Sequence, residues 1–290
     1  MNKPTIIITG ANGYLGENLL NHFLKLKWNI KAFVHKMPEK ENPQVEYVLY
    51  DMQQDLEEDN FGGVDHVIHC AYSRYDLNSR ADEINIEGVK KLIAVCEMLG
   101  IKIAFLSTFS SHSDAVSHYG VTKYKCEKFF DVSKHIIFKI GFIIGEKGIL
   151  AEMIDRIDKS TFFPLVGGGK QPLQNIYIKD LCIAIEQGLI KNISGVFYLA
   201  HEEEVSMKDF YSAIAFRLNK SLKYLPVSTN LLYIACKFFE FFKIKIPVTS
   251  ENVLGLKKMR TFETLECQQT LGIRYIDYKE GLDKIVLDHK

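Results

Sequence analysis

Tyr119 and Lys123 stand four residues apart in Tyr119-Gly120-Val121-Thr122-Lys123, so a helical segment would put a phenol and an ammonium on one face. A phenol near its reference pKa of about 10 is a weak base at neutral pH, and a fixed cation beside it favours the phenolate and useful acid–base chemistry. The spacing alone is common on protein surfaces. Its position gives it weight, because it follows an apolar run, Ile103 to Ser107, that ends in Ser107-Thr108. Ligands collect at the carboxyl ends of parallel strands. Thr108 would there hydrogen-bond the oxygen that Tyr119 protonates or deprotonates, with Ser110 and Ser111 as alternatives and a strand-end cap as the other reading of Thr108.

A second constellation lies at the start of the chain. Thr9-Gly10-Ala11-Asn12-Gly13-Tyr14-Leu15-Gly16 follows the apolar strand Thr5 to Thr9 and opens a helical pattern, the context a dinucleotide-binding turn requires. Gly10 permits the tight turn, Gly13 lets backbone approach a pyrophosphate, and Gly16 lets the helix pack on the strand. Gly10, Asn12, Gly13, Tyr14, Leu15 and Gly16 are thus candidate cofactor contacts, with the helix N-terminus facing the phosphates. The second strand, Ile30 to Val34, runs into His35 and Lys36, where an NAD-selective turn would carry an acid. A basic end suits a 2′-phosphate, which favours NADP over NAD. Asp51, closing the strand Val45 to Tyr50, and Met52 beside it are placed for the adenine, and Lys123 can hold the nicotinamide ribose.

The elements that must position these residues alternate. Short β-branched runs (Ile6 to Thr9, Ile30 to Val34, Val64 to Cys70, Ile103 to Ser107, Ile136 to Ile140) are separated by amphipathic segments at Leu15 to Leu26, Ile84 to Leu99 and Tyr119 to Phe130. Continuously apolar strands such as Ile6-Ile7-Ile8 are buried on both faces. The fold class is therefore α/β, a doubly wound parallel sheet of the Rossmann kind with a smaller C-terminal α/β substrate lobe. The division is set near residue 160, giving 1–160 and 161–290, with strands near 175–200 returning to the main sheet. Phe162 to Gln174 reads as a glycine- and proline-punctuated loop.

With 36 basic and 36 acidic residues the whole chain offers no electrostatic footprint for nucleic acid. The six cysteines contain no C-x-x-C pair and read as reduced thiols, with no metal site expected. The N-terminus enters a strand at once, without a signal-peptide pattern, so a cytoplasmic protein is expected. Leu231 to Val248 is strongly apolar but interrupted by Lys237, Glu240, Lys243, Lys245 and Pro247, too many for a spanning helix. A core-packed helix is expected there. Its run of Phe238, Phe239, Phe241 and Phe242 leaves an interfacial or subunit contact as the alternative.

Taken in order, these blocks resemble the extended short-chain dehydrogenase/reductases, the sugar-nucleotide family of NAD-dependent epimerases and dehydratases. Gly10, Gly13 and Gly16 match that family's glycine turn and Asp51 its acid after the third strand. Asp65-His66-Val67-Ile68-His69-Cys70-Ala71 matches the segment lining the cofactor, which brings in Cys70, Ala71 and the adjoining Tyr72. Asn85-Ile86-Glu87-Gly88 resembles its N-x-x-G helix, which implies a cofactor contact for Asn85, and Thr108, Tyr119 and Lys123 its catalytic trio, with Ser107 beside the cofactor. Lys139-Ile140-Gly141 stands where the family has R-P-G. Pro164 to Lys170 and Asn175 to Asp180 resemble the substrate loop and the V-x-D segment after it, which makes Gly167 to Gln174 the candidate contact for a nucleoside diphosphate.

The resemblance implies hydride and proton transfer at a secondary alcohol or ketone of a nucleoside-diphosphate sugar, by a reductase or an epimerase. Relatives that dehydrate sugars carry an acidic pair after the threonine, and Phe109-Ser110 does not supply it. His112 and His118 could assist, although solvated loop histidines are the commoner reading. A homodimer through the helices at 84–99 and 119–130 is expected by resemblance. The rival reading is a non-catalytic dinucleotide-binding regulator or accessory subunit.

Overall fold

The computed structural model describes residues 3–75, 80–244 and 248–286. The first half runs β1 (Thr5–Thr9), α1 (Tyr14–Lys25), β2 (Asn29–Val34), β3 (Val45–Leu49), β4 (His66–His69), α2 (Ala81–Leu99), β5 (Lys102–Thr108), α3 (His118–Glu127) and β6 (Ile136–Ile140). It continues with β7 (Phe142–Ile144), α4 (Ile149–Lys159), β8 (Phe162–Val166), β9 (Pro172–Leu173), β10 (Asn175–Tyr177), α5 (Ile178–Ile190) and β11 (Gly195–Leu199). The last part holds β12 (Val205–Ser206), α6 (Met207–Arg217), β13 (Lys223–Val227), α7 (Thr229–Phe241), α8 (Ser250–Lys257), α9 (Leu265–Leu271) and α10 (Tyr278–Val286).

Seven strands form one sheet in the order β11-β6-β5-β4-β1-β2-β3, every pairing parallel. Alternation along β1 explains the two layers: Ile6 and Ile8 pack into one core with Leu19, Phe23 and Leu181, while Ile7 points into the other with Phe33, Leu92 and Phe105. Each such fully buried side chain contributes about 1.5–3 kcal/mol of transfer free energy. The sheet is the doubly wound, Rossmann-type architecture expected, and the switch in strand order between β1 and β4 opens the crevice where such sheets receive ligands.

The region after β6 departs from its sequence reading. Gly195–Leu199 joins the main sheet beside β6, whereas Asn175–Tyr177 pairs in parallel with Phe142–Ile144 outside it. The stretch from Phe162 to Gln174 is not simply a loop: β8 pairs with β13 and β9 with β12, partners too distant in sequence for a local pattern to announce. The expectation of a core-packed helix within 231–248 is also corrected. Of α7 only Cys236 is buried, and Leu231, Ile234, Phe238 and Phe241 face outward; Lys245, Ile246 and Pro247 lie outside the described residues. Among the described residues, no helix is long and apolar enough to cross a membrane.

Candidate active site

α3 begins with Ser117, whose hydroxyl accepts from the Gly120 backbone N–H at 3.2 Å and so caps the helix at the turn that carries Tyr119. Gly120 is required there, since a Cβ would stand 2.3 Å from the Ser110 carbonyl oxygen. That close approach brings α3 against the end of β5. Tyr119, Lys123, Thr108 and Ser107 consequently line one cleft of about 140 Å³ together with Leu15 and Cys70. The three expected catalytic residues thus meet Leu15 of the glycine turn and both Cys70 and Tyr72 of the segment after β4.

Within the cleft the Thr108 hydroxyl accepts from the Ser110 N–H at 3.2 Å. Tyr119 keeps 42% of its surface exposed, yet burial around its hydroxyl raises its pKa, and the Thr108 hydrogen bond works in the opposite direction. Lys123 behaves differently from expectation. Its ammonium donates to the Leu106 carbonyl at 2.7 Å and lies 4.5 Å from the centre of the Phe105 ring and 5.1 Å from that of Tyr72. Among the described residues no hydrogen bond joins it to Tyr119. Burial pushes it down to about 8, so the lysine is itself the perturbed group. Tyr72 meets Tyr119 edge to face, ring centres 5.1 Å apart.

The glycine turn is tight, with backbone packed where side chains would otherwise stand. Gly10 sits at φ +66° with its N–H on the Phe33 carbonyl at 2.9 Å, and a Cβ on it would stand 2.9 Å from Ala71 backbone. A Cβ on Gly16 would come within 2.3 Å of the Gly10 carbonyl oxygen. Gly13 is the N-cap of α1 with no side-chain cap bond, so the first-turn amides stay free for an anion. The Thr9 hydroxyl accepts from Ala71 N–H at 3.2 Å and bonds Nδ1 of His69 at 2.8 Å, tying the ends of β1 and β4 together. His69 is fully buried and burial pushes it down to about 3. Cys70, also buried around its thiol, is pushed up to about 12.

The remaining candidates divide. Asn12 donates to the Lys36 carbonyl at 2.6 Å, which fixes the end of β2, and the Lys36 and His35 side chains are exposed. Tyr14 donates to Glu146 at 2.8 Å. Asp51 accepts from Gln53 N–H at 2.9 Å in a local turn, and Met52 packs where a Cβ on Gly88 would clash at 2.6 Å. Asn85 is already fully engaged. Its Oδ1 accepts from Ser73 N–H at 2.8 Å and its Nδ2 donates to the Ser73 and Ala81 carbonyls, so it holds the loop carrying Tyr72.

Of the two histidines, only His112 is withdrawn from solvent; the His118 side chain is 42% exposed. His112 is buried, accepting from Asp114 N–H on Nδ1 and therefore donating from Nε2 to the Lys258 carbonyl at 3.0 Å. His118 bonds Asp82 at 3.0 Å and stacks on Tyr75 with ring centres 4.0 Å apart. Sequence reading also missed a buried charge pair behind the cleft: Lys139 meets Glu127 at 3.0 Å, and Glu127 accepts from the hydroxyls of Ser107 and Ser111. The only signal for it was the lysine in place of the family's arginine.

A protein-family model described as the NAD dependent epimerase/dehydratase family matches residues 6–192. The chain belongs to that family. Its sequence is 23% identical over 97% of both chains to a putative UDP-glucose 4-epimerase of Methanocaldococcus jannaschii. Among solved structures, MoeE5 in complex with UDP-glucose and NAD superposes with a TM-score of 0.75 at 17% identity, over 98% of this chain and 97% of that one. The UDP-glucose 4-epimerase of Thermotoga maritima with UDP-glucose gives 0.75 at 17%, over 98% and 97%. The epimerase of Methanothermobacter thermautotrophicus gives 0.77 at 14%, over 99% and 92%.

Two family-like segments of this epimerase/dehydratase have structural duties here. Asp180 accepts from the Ile276 N–H at 2.9 Å, and burial raises its pKa. Gln174 is buried and clasps the Phe262 backbone, accepting at 2.8 Å and donating at 3.0 Å. Gly167 and Gly168 take left-handed conformations, with open space around Gly168. No cluster of metal-ligating residues occurs among the described residues.

Proposed function

We propose that this enzyme moves a hydride and a proton at a secondary alcohol or ketone of a nucleoside-diphosphate sugar, with epimerisation as the net reaction. One observation carries the reading: Tyr119, Thr108 and Lys123 share a single cleft with Leu15 of the glycine turn. The names of the archaeal relative and of the Thermotoga neighbour support the epimerase arm over the reductase.

The turn fits a dinucleotide, because Gly10 and Gly16 leave space that a side chain would fill and α1 leaves its first amides uncapped. A nicotinamide dinucleotide bound there supplies the hydride donor and acceptor. Neighbours described with a cofactor carry NAD, which does not support the NADP preference expected from Lys36; we take NAD as the working cofactor. Cys70, Ala71 and Tyr72 would line its path, with Asp51 and Met52 at the adenine.

Tyr119 takes the alcohol proton as the hydride leaves and returns it to the ketone oxygen when the hydride comes back; the Thr108 bond favours the accepting phenolate and burial favours the donating phenol. Thr108 orients the same oxygen. Lys123, with one N–H on Leu106 and two left, holds ribose hydroxyls and the electrostatic balance of the cleft. We assign 1–160 to dinucleotide binding and 161–290 to the substrate lobe, in which the glycines at 167–168 receive the diphosphate, and we expect a homodimer through α2 and α3. Six free thiols suit a reducing, cytoplasmic compartment.

The test is interconversion of UDP-glucose and UDP-galactose by purified protein, with mass spectrometry of any co-purified dinucleotide. Bound NAD and a loss of roughly 10²–10⁴ in kcat for Tyr119→Phe support the proposal. A Tyr119→Phe protein with full turnover overturns it.

A further inference from the structure

We propose that α7 and the turn after it dock the protein on an anionic lipid surface, as an interfacial rather than a spanning element. Leu231, Ile234, Phe238 and Phe241 are 68%, 63%, 58% and 81% exposed, and their spacing of three, four and three residues makes one helical stripe. Phe242 and Ile244 extend it beyond the helix end, both exposed. The rings support one another rather than a core, with centres 4.8 Å apart for Phe238–Phe242 and 5.2 Å for Phe241–Phe242. The opposite side of α7 is already used: Cys236 is buried and donates to the Val248 carbonyl at 3.3 Å, and Lys257 of α8 covers the Tyr233 ring at 4.9 Å. An outward stripe of this size on a folded chain marks an interaction surface.

Charge selects the occupant. Residues 220–260 contain eight Lys and Arg against two Glu, in a chain whose totals balance at 36 and 36. Both carboxylates are turned to backbone: Glu240 accepts from Ser250 N–H at 2.7 Å and meets Lys237 at 3.7 Å, and Glu251 accepts from His118 N–H at 2.6 Å. Arg260 and Lys220 pair with Asp114 and Asp158. Lys243, Lys257 and Lys258 have no ion pair among the described residues. A two-fold contact between copies would set this basic segment against itself. An anionic bilayer takes both features at once, burying Leu, Ile and Phe at the acyl boundary while lysines reach back to the headgroups. This surface is independent of the proposed sugar chemistry.

The full-length protein should sediment with phosphatidylcholine vesicles containing phosphatidylserine, and not with phosphatidylcholine alone, in a salt-sensitive manner. Phe238→Ser/Phe241→Ser, both on exposed positions, is expected to weaken this binding roughly tenfold or more with an unchanged melting temperature. Lys237→Glu/Lys243→Glu should weaken it while leaving the apolar stripe intact. Failure of the wild type to bind phosphatidylserine vesicles overturns the proposal. So does binding indifferent to both variants, or light scattering that shows a dimer broken by Phe238→Ser/Phe241→Ser, which would make a second copy the occupant.

Discussion

Tyr119 and Lys123 share one face of α3, but their polar ends part: the phenol turns to Thr108, while the ammonium donates to the Leu106 carbonyl at 2.7 Å. Burial acts on both in opposite senses, raising the phenol and pushing the lysine down to about 8. Desolvation, not a direct contact, thus drives the two groups apart in proton affinity, favouring the neutral form of each. A site arranged in this way stores a charge in a place the folded state would rather leave neutral.

That arrangement predicts a stability signature. An unfolded lysine titrates near 10.5 and the folded one near 8, so the unfolded chain binds the extra proton between those values. Wild-type stability therefore rises across pH 8 to 10.5, and below pH 8 the full penalty of the buried ammonium is present. Lys123→Met should melt higher than wild type at pH 7, by an amount on the order of 3 kcal/mol at most, with the gap narrowing between pH 8 and 10.5. Its turnover should fall by about 10² or more. Thermal unfolding at pH 7, 9 and 10 checks the first part, and a gap that does not depend on pH would refute it.

The glycine turn separates binding from folding. Gly16→Ala puts a methyl 2.3 Å from a backbone oxygen that cannot move alone, and a loss of about 1–3 kcal/mol of stability is expected. Gly13→Ala meets only the Gly10 oxygen, at 3.2 Å, and its φ of −75° suits any residue. Its melting temperature should fall little, whereas the dissociation constant for NAD should rise roughly tenfold or more, as a methyl enters the space backbone needs beside the pyrophosphate. Calorimetry on both variants separates the effects. Unaltered NAD affinity in Gly13→Ala would remove the pyrophosphate from this turn.

What could be read from sequence follows the range of the interactions. Ile6-Ile7-Ile8, the adjoining glycines and the Tyr119–Lys123 spacing are local patterns, and each reappears in place: a central strand, a left-handed turn at Gly10, one helix face. Longer-range pairings left no such trace. β8 and β13 meet across some sixty residues, and their residues read as a loop because the partner strand supplies the order. α7 looked like core because an apolar helix has the same composition whether or not its face finds a partner. Asn85 was assigned to the cofactor from its neighbourhood, and the structure spends its amide on Ser73 and Ala81.

Lys139 shows the same limit and yields the last prediction. In sequence it was an arginine missing from a family motif; in the fold it sits 3.0 Å from Glu127, both side chains no more than a tenth exposed. Removing one partner strands the other charge, so Glu127→Ala should lose about 3–5 kcal/mol, while Glu127→Leu/Lys139→Met should recover most of it. Activity should not follow stability. Glu127 also accepts from Ser107 and, at 2.5 Å, from Ser111, the hydroxyls on either side of Thr108, so the double variant should keep a depressed kcat with KM little changed. Glu127→Gln, which retains an acceptor for both serines, should restore kcat better than it restores stability. Urea unfolding and steady-state kinetics on the four proteins test this, and a double variant with wild-type kcat would reduce the pair to scaffolding.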